Sequence, residues 1–246
     1  MFGLDPYEAA IGNFAYFGPG AAAVVEQAKS SKPTPKASAW LNPEDKGKVL
    51  EESLGKTIIW DFDGVVADTE PVQWDSFRLV LLEYGFVPKD NFHVELMGHT
   101  EPDIWELLFQ QGAPRDDIKK LIDKRSELYI ELAKRILPPS WLSHELMHLF
   151  ADTAKVQYVI SNGNPVNNSA LLNHWKMDHL AEVVIRGEKT KAELFTQHAT
   201  STPSLILEDN EKYAQIAKQG GAYVVGVIHS LSPTQLLLPA DVTVHI

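Results

Sequence analysis

The stretch IIWDFDGVVADTEP runs from Ile58 to Pro71. Three large apolar residues lead into two carboxylates one residue apart, Asp61 and Asp63, followed by Gly64. A short apolar run of this kind, with no polar alternation, reads as a strand buried on both faces of a parallel sheet. Two like charges at its mouth raise each other's cost of ionising. A divalent cation beside them removes that conflict, and Mg2+ takes oxygen ligands, commonly a few carboxylates plus substrate phosphate. Asp-x-Asp-Gly also opens calcium loops and occurs in sugar-nucleotide sites. The EF-hand form fails here, because Val72 occupies the place where the twelfth-position glutamate would stand.

Working outward, similar runs recur at VQYVISN (156–162), VVIRG (183–187), PSLILED (203–209), AYVVGVI (222–228) and DVTVHI (241–246). Helical spacing fills 167–179, 190–199 and 211–219 between them. Strands alternating with helices predict an α/β fold with a doubly wound, mostly parallel sheet. From Pro71 to Phe150 no strand run appears. VQWDSFRLVLLEYGF, EPDIWELLFQQGA and RDDIKKLIDKRSELYIELAKRIL carry apolar residues at helical spacing instead. An inserted α-helical cap is therefore expected over 71–149, with a core of 55–70 plus 150–246. An insertion after the first strand hangs over the carboxyl ends of the strands, where open α/β sheets bind ligands, and is placed to act as a lid. Residues 1–54 read as an N-terminal extension and linker, since SSKPTPKAS (30–38) sustains neither a helix nor a central strand.

Three more strand ends carry chemistry. YVISNG places Ser161 at a tip, then Asn162 and Gly163, a hydroxyl and backbone N–H groups that suit a phosphoryl oxygen. VVIRGEKTK delivers Lys189 just past its strand, a point charge for phosphate. SLILEDN ends in Glu208 and Asp209, further oxygen ligands. Taken singly, Ser161 could be a helix cap, Lys189 a solvated charge and Glu208–Asp209 turn residues. It is their convergence on one sheet edge that points to a site.

With these four segments quoted, the chain resembles the haloacid dehalogenase-like (HAD) phosphohydrolases, in the phosphatase and β-phosphoglucomutase-like subgroup with a helical cap after the first strand. DFDGVVADTEP is similar to that family's first motif, VISNG to its second, Lys189 to its third and LILEDN to its fourth. The likeness covers roughly residues 56–246. It implies a HAD-like Rossmannoid core and a Mg2+-dependent phosphatase acting on a small phosphorylated metabolite. It implies Asp61 as nucleophile forming an aspartyl-phosphate and Asp63 as acid and base toward leaving group and water. Ser161 and Lys189 would bind the phosphoryl group. Metal ligands would be Asp61, Asp63 through its main-chain carbonyl, and Asp209, with Glu208 in support. Asn162, Gly163, Glu70 at the hinge and His99 from the cap segment MGHTEPD would touch substrate. The third motif departs from the family pattern: Glu188 separates Gly187 from Lys189, and Lys191 competes for the phosphate. A phosphomutase or phosphonate hydrolase of the same family remains an alternative, although Gln73 stands where the mutases tend to carry histidine. A non-catalytic binding module on the same fold is a reading of another class, and retention of both Asp61 and Asp63 speaks against it.

His144-Glu145-Leu146-Met147-His148 is a literal H-E-x-x-H, which on a helix can hold zinc. Its extensions are absent: Ala151 and Ala154 stand at the places of the glycine and the third histidine. The expected arrangement is an amphipathic helix with its histidines outward. Charge and composition exclude other classes. A net charge of −11 argues against a nucleic-acid or anionic-membrane partner, and zero cysteines remove disulfides and thiolate chemistry. No apolar stretch approaches the roughly 18 residues of a membrane helix. The first residues lack a basic n-region, so a cytoplasmic protein is expected, as a monomer or weak dimer.

Overall fold

A computed structural model describes residues 43–89, 92, 96, 99–229, 232 and 239–246. The sequence reading of residues 1–42 lies outside the described residues. The described residues fall into two compact units. Those from 43 to 70 and from 138 to 246 form the sheet unit, and those from 71 to 137 form the second.

The sheet unit is built on six parallel strands: β1 Thr57–Trp60, β2 Val156–Val159, β3 Glu182–Val183, β4 Ser204–Glu208, β5 Tyr223–Ile228 and β6 Val242–His245. Their order is β3-β2-β1-β4-β5-β6. β1 and β4, the adjacent central strands, are buried at every position, and their apolar centres, Ile58–Trp60 and Leu205–Leu207, suit strands covered on both faces. Register puts Trp60 level with both Val159 and Leu207, so β1 and β2 end together and β4 one residue later, at Glu208. From β1 the chain steps outward to β2 and β3, then crosses back to β4 and steps outward the other way to β5 and β6, so the switch point falls between β1 and β4, where open parallel sheets present a binding crevice.

Helices flank the sheet: α1 Pro43–Ser53, α5 Trp141–Thr153, α6 Pro165–His174, α7 Lys191–Ser201 and α8 Glu211–Gln219. Ile59, Ile160, Leu194, Phe195, Ile206, Ala214 and Val224 form one of its apolar cores. The expected cap limit at residue 149 is corrected to Leu137, because α5 belongs to the sheet unit. Leu142, Leu146, Met147 and Phe150 are buried, and the Trp60 ring packs at a tilt against Phe150, with centroids 5.8 Å apart. Gln157 ties α5 to the sheet, donating to the Met147 carbonyl at 2.8 Å and accepting from Trp60 Nε1 at 3.0 Å. An amphipathic pattern specifies that a helix buries one face; it does not specify against which unit.

α5 also steadies the segment after Asp63. Ser140 caps the helix and donates to the Val65 carbonyl at 2.7 Å, and Ser143 Oγ donates to the Val66 carbonyl at 2.7 Å. Two buried carbonyls of an irregular loop are thereby satisfied, which such a loop requires.

The second unit holds α2 from Pro71 onward (the helix spans Glu70–Glu83), α3 Glu101–Gln110 and α4 Ile118–Ile136. Its core is aromatic: Trp74 contacts Phe77 at 5.6 Å and Phe92 at 5.8 Å, and Phe77 contacts Trp105 at 5.1 Å. Arg125 is buried, with its guanidinium 4.9 Å from the Phe77 ring and its Nη2 donating to Glu101 at 2.9 Å. Asp75 on α2 is a carboxyl that burial pushes up to about 6, with Arg78 pulling it part of the way back. The folded protein therefore retains a proton there that the unfolded chain releases. This contribution to stability falls as pH rises from about 4 to about 6. Asp75→Asn is expected to gain on the wild type by roughly 1–3 kcal/mol between pH 4 and pH 7 in denaturant unfolding. An unchanged difference across that range would refute the assignment.

Candidate active site

Asp61 follows the last residue of β1, and its N–H donates to the Leu207 carbonyl of β4 at 3.0 Å. The carboxylate is buried, with Oδ1 accepting from Phe62 N at 2.7 Å. Its Oδ2 meets Lys191 Nζ at 2.6 Å, and the same ammonium meets Glu208 Oε2 at 2.7 Å. All three side chains are buried. Burial pushes the Asp61 carboxyl up to about 7, with Glu208 and Asp63 adding and Lys191 opposing. Glu208, at the end of β4, is pushed up to about 7 chiefly by burial and is restrained by Lys191. Burial alone would lower Lys191, but the two carboxylates outweigh it and hold it above its usual range.

Asp63 is held from two sides. Thr69 Oγ1 donates to Oδ1 at 2.7 Å and Ser161 Oγ donates to Oδ2 at 3.0 Å. Ser161 Oγ in turn accepts from Gly163 N at 2.8 Å. The hydroxyl and the Gly163 N–H expected to face a phosphoryl oxygen thus also serve to fix Asp63. A Cβ at residue 163 would lie 2.9 Å from Asp63 Oδ2, so any side chain there would displace the Asp63 carboxylate. Asn162 turns its side-chain amide to Tyr213 OH at 2.9 Å.

Asp209 completes the acidic group. Ligand oxygens of Asp61, Glu208 and Asp209 lie within 4.8 Å of one another. Gly64, at φ +77°, passes so close to Asp209 that a Cβ there would be 2.6 Å from Oδ2. His229, just past β5, lies 3.2 Å through Nε2 from Asp209 Oδ2 and 3.6 Å through Nδ1 from Asp68 Oδ1. Burial would lower the His229 imidazole, yet Asp209 and Asp68 overcome this and raise it to about 10. An all-oxygen, partly buried carboxylate group fits Mg2+ by its donor chemistry. Glu208, like Asp61, has both oxygens engaged, with Oε1 accepting from Asn210 N at 2.9 Å and Oε2 on Lys191.

The structure brings Asp61, Asp63, Ser161, Gly163, Glu208 and Asp209 together, through the contacts just given. It does not bring Lys189. That side chain is exposed and its Nζ donates to Gln197 Oε1 at 2.8 Å, so the place expected for it is taken by Lys191. The reason lies in the loop. β3 ends at Val183, earlier than its apolar run, and the chain turns through Gly187 at φ +58° before Lys191 opens α7. Thr190 caps that helix in a capping box with Glu193, which fixes Lys191 at the first helical position. Glu70 is the half-buried first residue of α2. His99 is exposed in the second unit, its N–H on the Leu96 carbonyl at 3.3 Å. Thr69, Tyr213 and His229 were not anticipated. The rule used for the other strand tips would have found His229, one residue beyond the fifth apolar run. His144 and His148 face solvent and Glu145 pairs with Lys46; among the described residues the convergent metal-ligand group is the carboxylate set above.

Fold and site define an α/β protein with a buried carboxylate–lysine centre at the switch point of its sheet. The family model described as haloacid dehalogenase-like hydrolase matches residues 58–227. The chain belongs to that family, and is an enzyme of the hydrolase class. It is 23% identical over 201 residues to a phosphorylated carbohydrates phosphatase of Thermotoga maritima, covering 75% of this chain and 91% of the relative. Among solved structures, a candidate beta-phosphoglucomutase from Thermotoga maritima superposes with a TM-score of 0.65 at 20% identity, covering 77% of this chain and 94% of that one. CbbY from Rhodobacter sphaeroides, in complex with phosphate, gives 0.64 at 17% identity, covering 78% and 94%. At these identities the structures show the shared fold. Among the described residues no helix is long and apolar enough to cross a membrane.

Proposed function

We propose that this protein is a Mg2+-dependent phosphohydrolase that cleaves a small phosphate monoester through an aspartyl-phosphate on Asp61. The observation that carries this reading is the ammonium of Lys191, lodged at 2.6 Å on Asp61 and 2.7 Å on Glu208. A carboxylate must approach an anionic phosphate to attack it. That repulsion calls for fixed positive charge aimed at the reacting group before reaction begins. Lys191 supplies it at the attacking oxygen itself. Asp61, Asp209 and the main-chain carbonyl of Asp63 would hold the cation, with Glu208 close enough to assist while anchoring the lysine. When bound, Mg2+ adds charge neutralisation on the phosphoryl oxygens.

Asp63 is the proposed proton carrier, giving a proton to the leaving oxygen and then taking one from the hydrolytic water. Its two oxygens are already oriented by Thr69 and Ser161, so little rearrangement is needed for either step. Ser161 acts here mainly by holding Asp63. The phosphatase relative acts on phosphorylated carbohydrates, and a CbbY structure contains xylulose-(1,5)bisphosphate; sugar phosphates are the substrate class proposed first.

The test is phosphate release from p-nitrophenyl phosphate and a panel of sugar phosphates, with Mg2+ and with chelator. Turnover is expected in Mg2+ and is expected to fall at least about 100-fold in chelator. Hydrolysis that persists undiminished in chelator would refute the metal-dependent reading.

A further inference from the structure

We infer that Tyr213 is a positioning residue that seats the phosphate-facing lysine and couples it to the loop after β2. The inference deepens the proposed function and rests on the Asp61–Lys191 centre being the phosphoryl-transfer site. Three contacts on one side chain support it. The Lys191 ammonium lies 4.4 Å from the centre of the Tyr213 ring. The Tyr213 hydroxyl accepts from Asn162 Nδ2 at 2.9 Å. The ring also packs edge-on against Phe195 on α7, with centroids 6.0 Å apart.

Lys191 presents a physical difficulty that these contacts answer. A four-carbon stem with a strongly hydrated head is removed from water and must hold one rotamer. Asp61 and Glu208 attract the head from one direction, but they do not fill the space around it. An aromatic face excludes water there without a competing charge or hydrogen-bond acceptor, and attracts the ammonium through the ring quadrupole. Phe195 offers a second ring at 5.1 Å but is fully buried in the sheet core. Tyr213 is half-buried and alone of the two extends a hydroxyl to the Ser161–Gly163 segment. That segment is fastened onward, because Arg186 Nη2 donates to the Asn162 carbonyl at 3.1 Å. Tyr213 thus links α8, which follows the Glu208–Asp209 tip, to the lysine of α7 and to the loop that holds Asp63.

The two halves of the side chain have separable roles. Tyr213→Phe keeps the face beneath the ammonium and removes the acceptor for Asn162. Tyr213→Leu removes the face. With p-nitrophenyl phosphate and Mg2+, Tyr213→Leu is expected to lower kcat about tenfold, within what a desolvated cation–π contact supplies. Tyr213→Phe is expected to keep kcat within about twofold while raising KM, and the inhibition constant of inorganic phosphate, about threefold. That split between kcat and KM, with kcat rescued by the conservative variant, is not the pattern of a merely structural role. If Tyr213→Leu shows no cooperative melt, Tyr213→Met replaces it with the same expectation. A face-less variant with wild-type kcat, or a Phe variant as slow as the Leu variant, overturns the inference. Asp61→Asn run alongside separates the two levels. A silent Asp61→Asn with an unimpaired Tyr213→Leu refutes the role of Tyr213 alone, whereas turnover by Asp61→Asn refutes the centre and the inference with it.

Discussion

Asp61→Asn is expected to abolish phosphate release, by roughly 10⁴-fold or more, and at the same time to melt at a higher temperature than the wild type in chelator at pH 8. The loss follows from chemistry: an amide of the same shape cannot become the acyl phosphate. The gain follows from electrostatics. Burial, Glu208 and Asp63 together push the Asp61 carboxyl from 3.8 up to about 7 despite Lys191. A carboxyl whose folded-state value lies above its unfolded value keeps a proton that the unfolded chain gives up. Its contribution therefore becomes unfavourable as pH rises from about 4 to about 7, and stays so above that. Asparagine carries no such cost, and Lys191 retains Glu208 as a partner at 2.7 Å. The melting advantage of Asp61→Asn should accordingly be larger at pH 8 than at pH 5. Added Mg2+ should narrow it, because a ligand of the native state stabilises by mass action and the variant has lost one donor. A variant that melts below the wild type at pH 8 in chelator would show that pairing with Lys191 outweighs the burial of Asp61, and would overturn the account.

The legible part of this molecule was the part where one physical rule acts locally. Strands buried on both faces have to be apolar throughout, so β1, β4 and β5 stand out as runs, and the polar residue that ends each run sits at the sheet edge. Asp61, Glu208 and Asp209 are legible in this way, while Ser161 follows β2, which is buried only at alternate positions, and is legible only as a polar strand tip. Sequence does not separate Lys191 from Lys189, because β3 pairs over only Glu182–Val183, short of the apolar stretch at 183–187. Beyond Val183 the path of the chain is set by the Gly187 turn and the Thr190 cap, neither of which a periodicity reports. Tyr213 was hidden for a different reason. It lies on an amphipathic helix with no motif around it, and its meaning comes from Lys191 and Asn162, 22 and 51 residues away in the chain. The limit between the units was misplaced because the apolar face of α5 is the same whether it packs on the sheet or on helices. Its destination is decided by Gln157, Trp60 and the carbonyls of Val65 and Val66.

Lys191→Met and Lys189→Ala, two residues apart, should differ by about 500-fold in kcat. Lys191→Met is expected to lose roughly 10³-fold, the cost of removing a preorganised charge from a reacting oxyanion in a dry site. Lys189→Ala is expected to stay within about twofold, because its ammonium is exposed and bound to Gln197, where interactions contribute little. Stability should separate the pair as well. Lys189→Ala removes one exposed hydrogen bond. Lys191→Met leaves Asp61 and Glu208 buried side by side with no cation on either, and breaking such a cluster from one side costs about 3–5 kcal/mol. Both carboxyls are held near 7 with the lysine present, and without it they rise further, so they escape the penalty only by staying protonated. The deficit of Lys191→Met should therefore deepen as pH rises through 7 and shrink toward pH 5. Measured kcat values and melting curves across that range decide the matter. A greater loss of turnover at 189 than at 191 would return the phosphate to Lys189, and with it the claim that the ammonium between Asp61 and Glu208 is the one that meets substrate would fail.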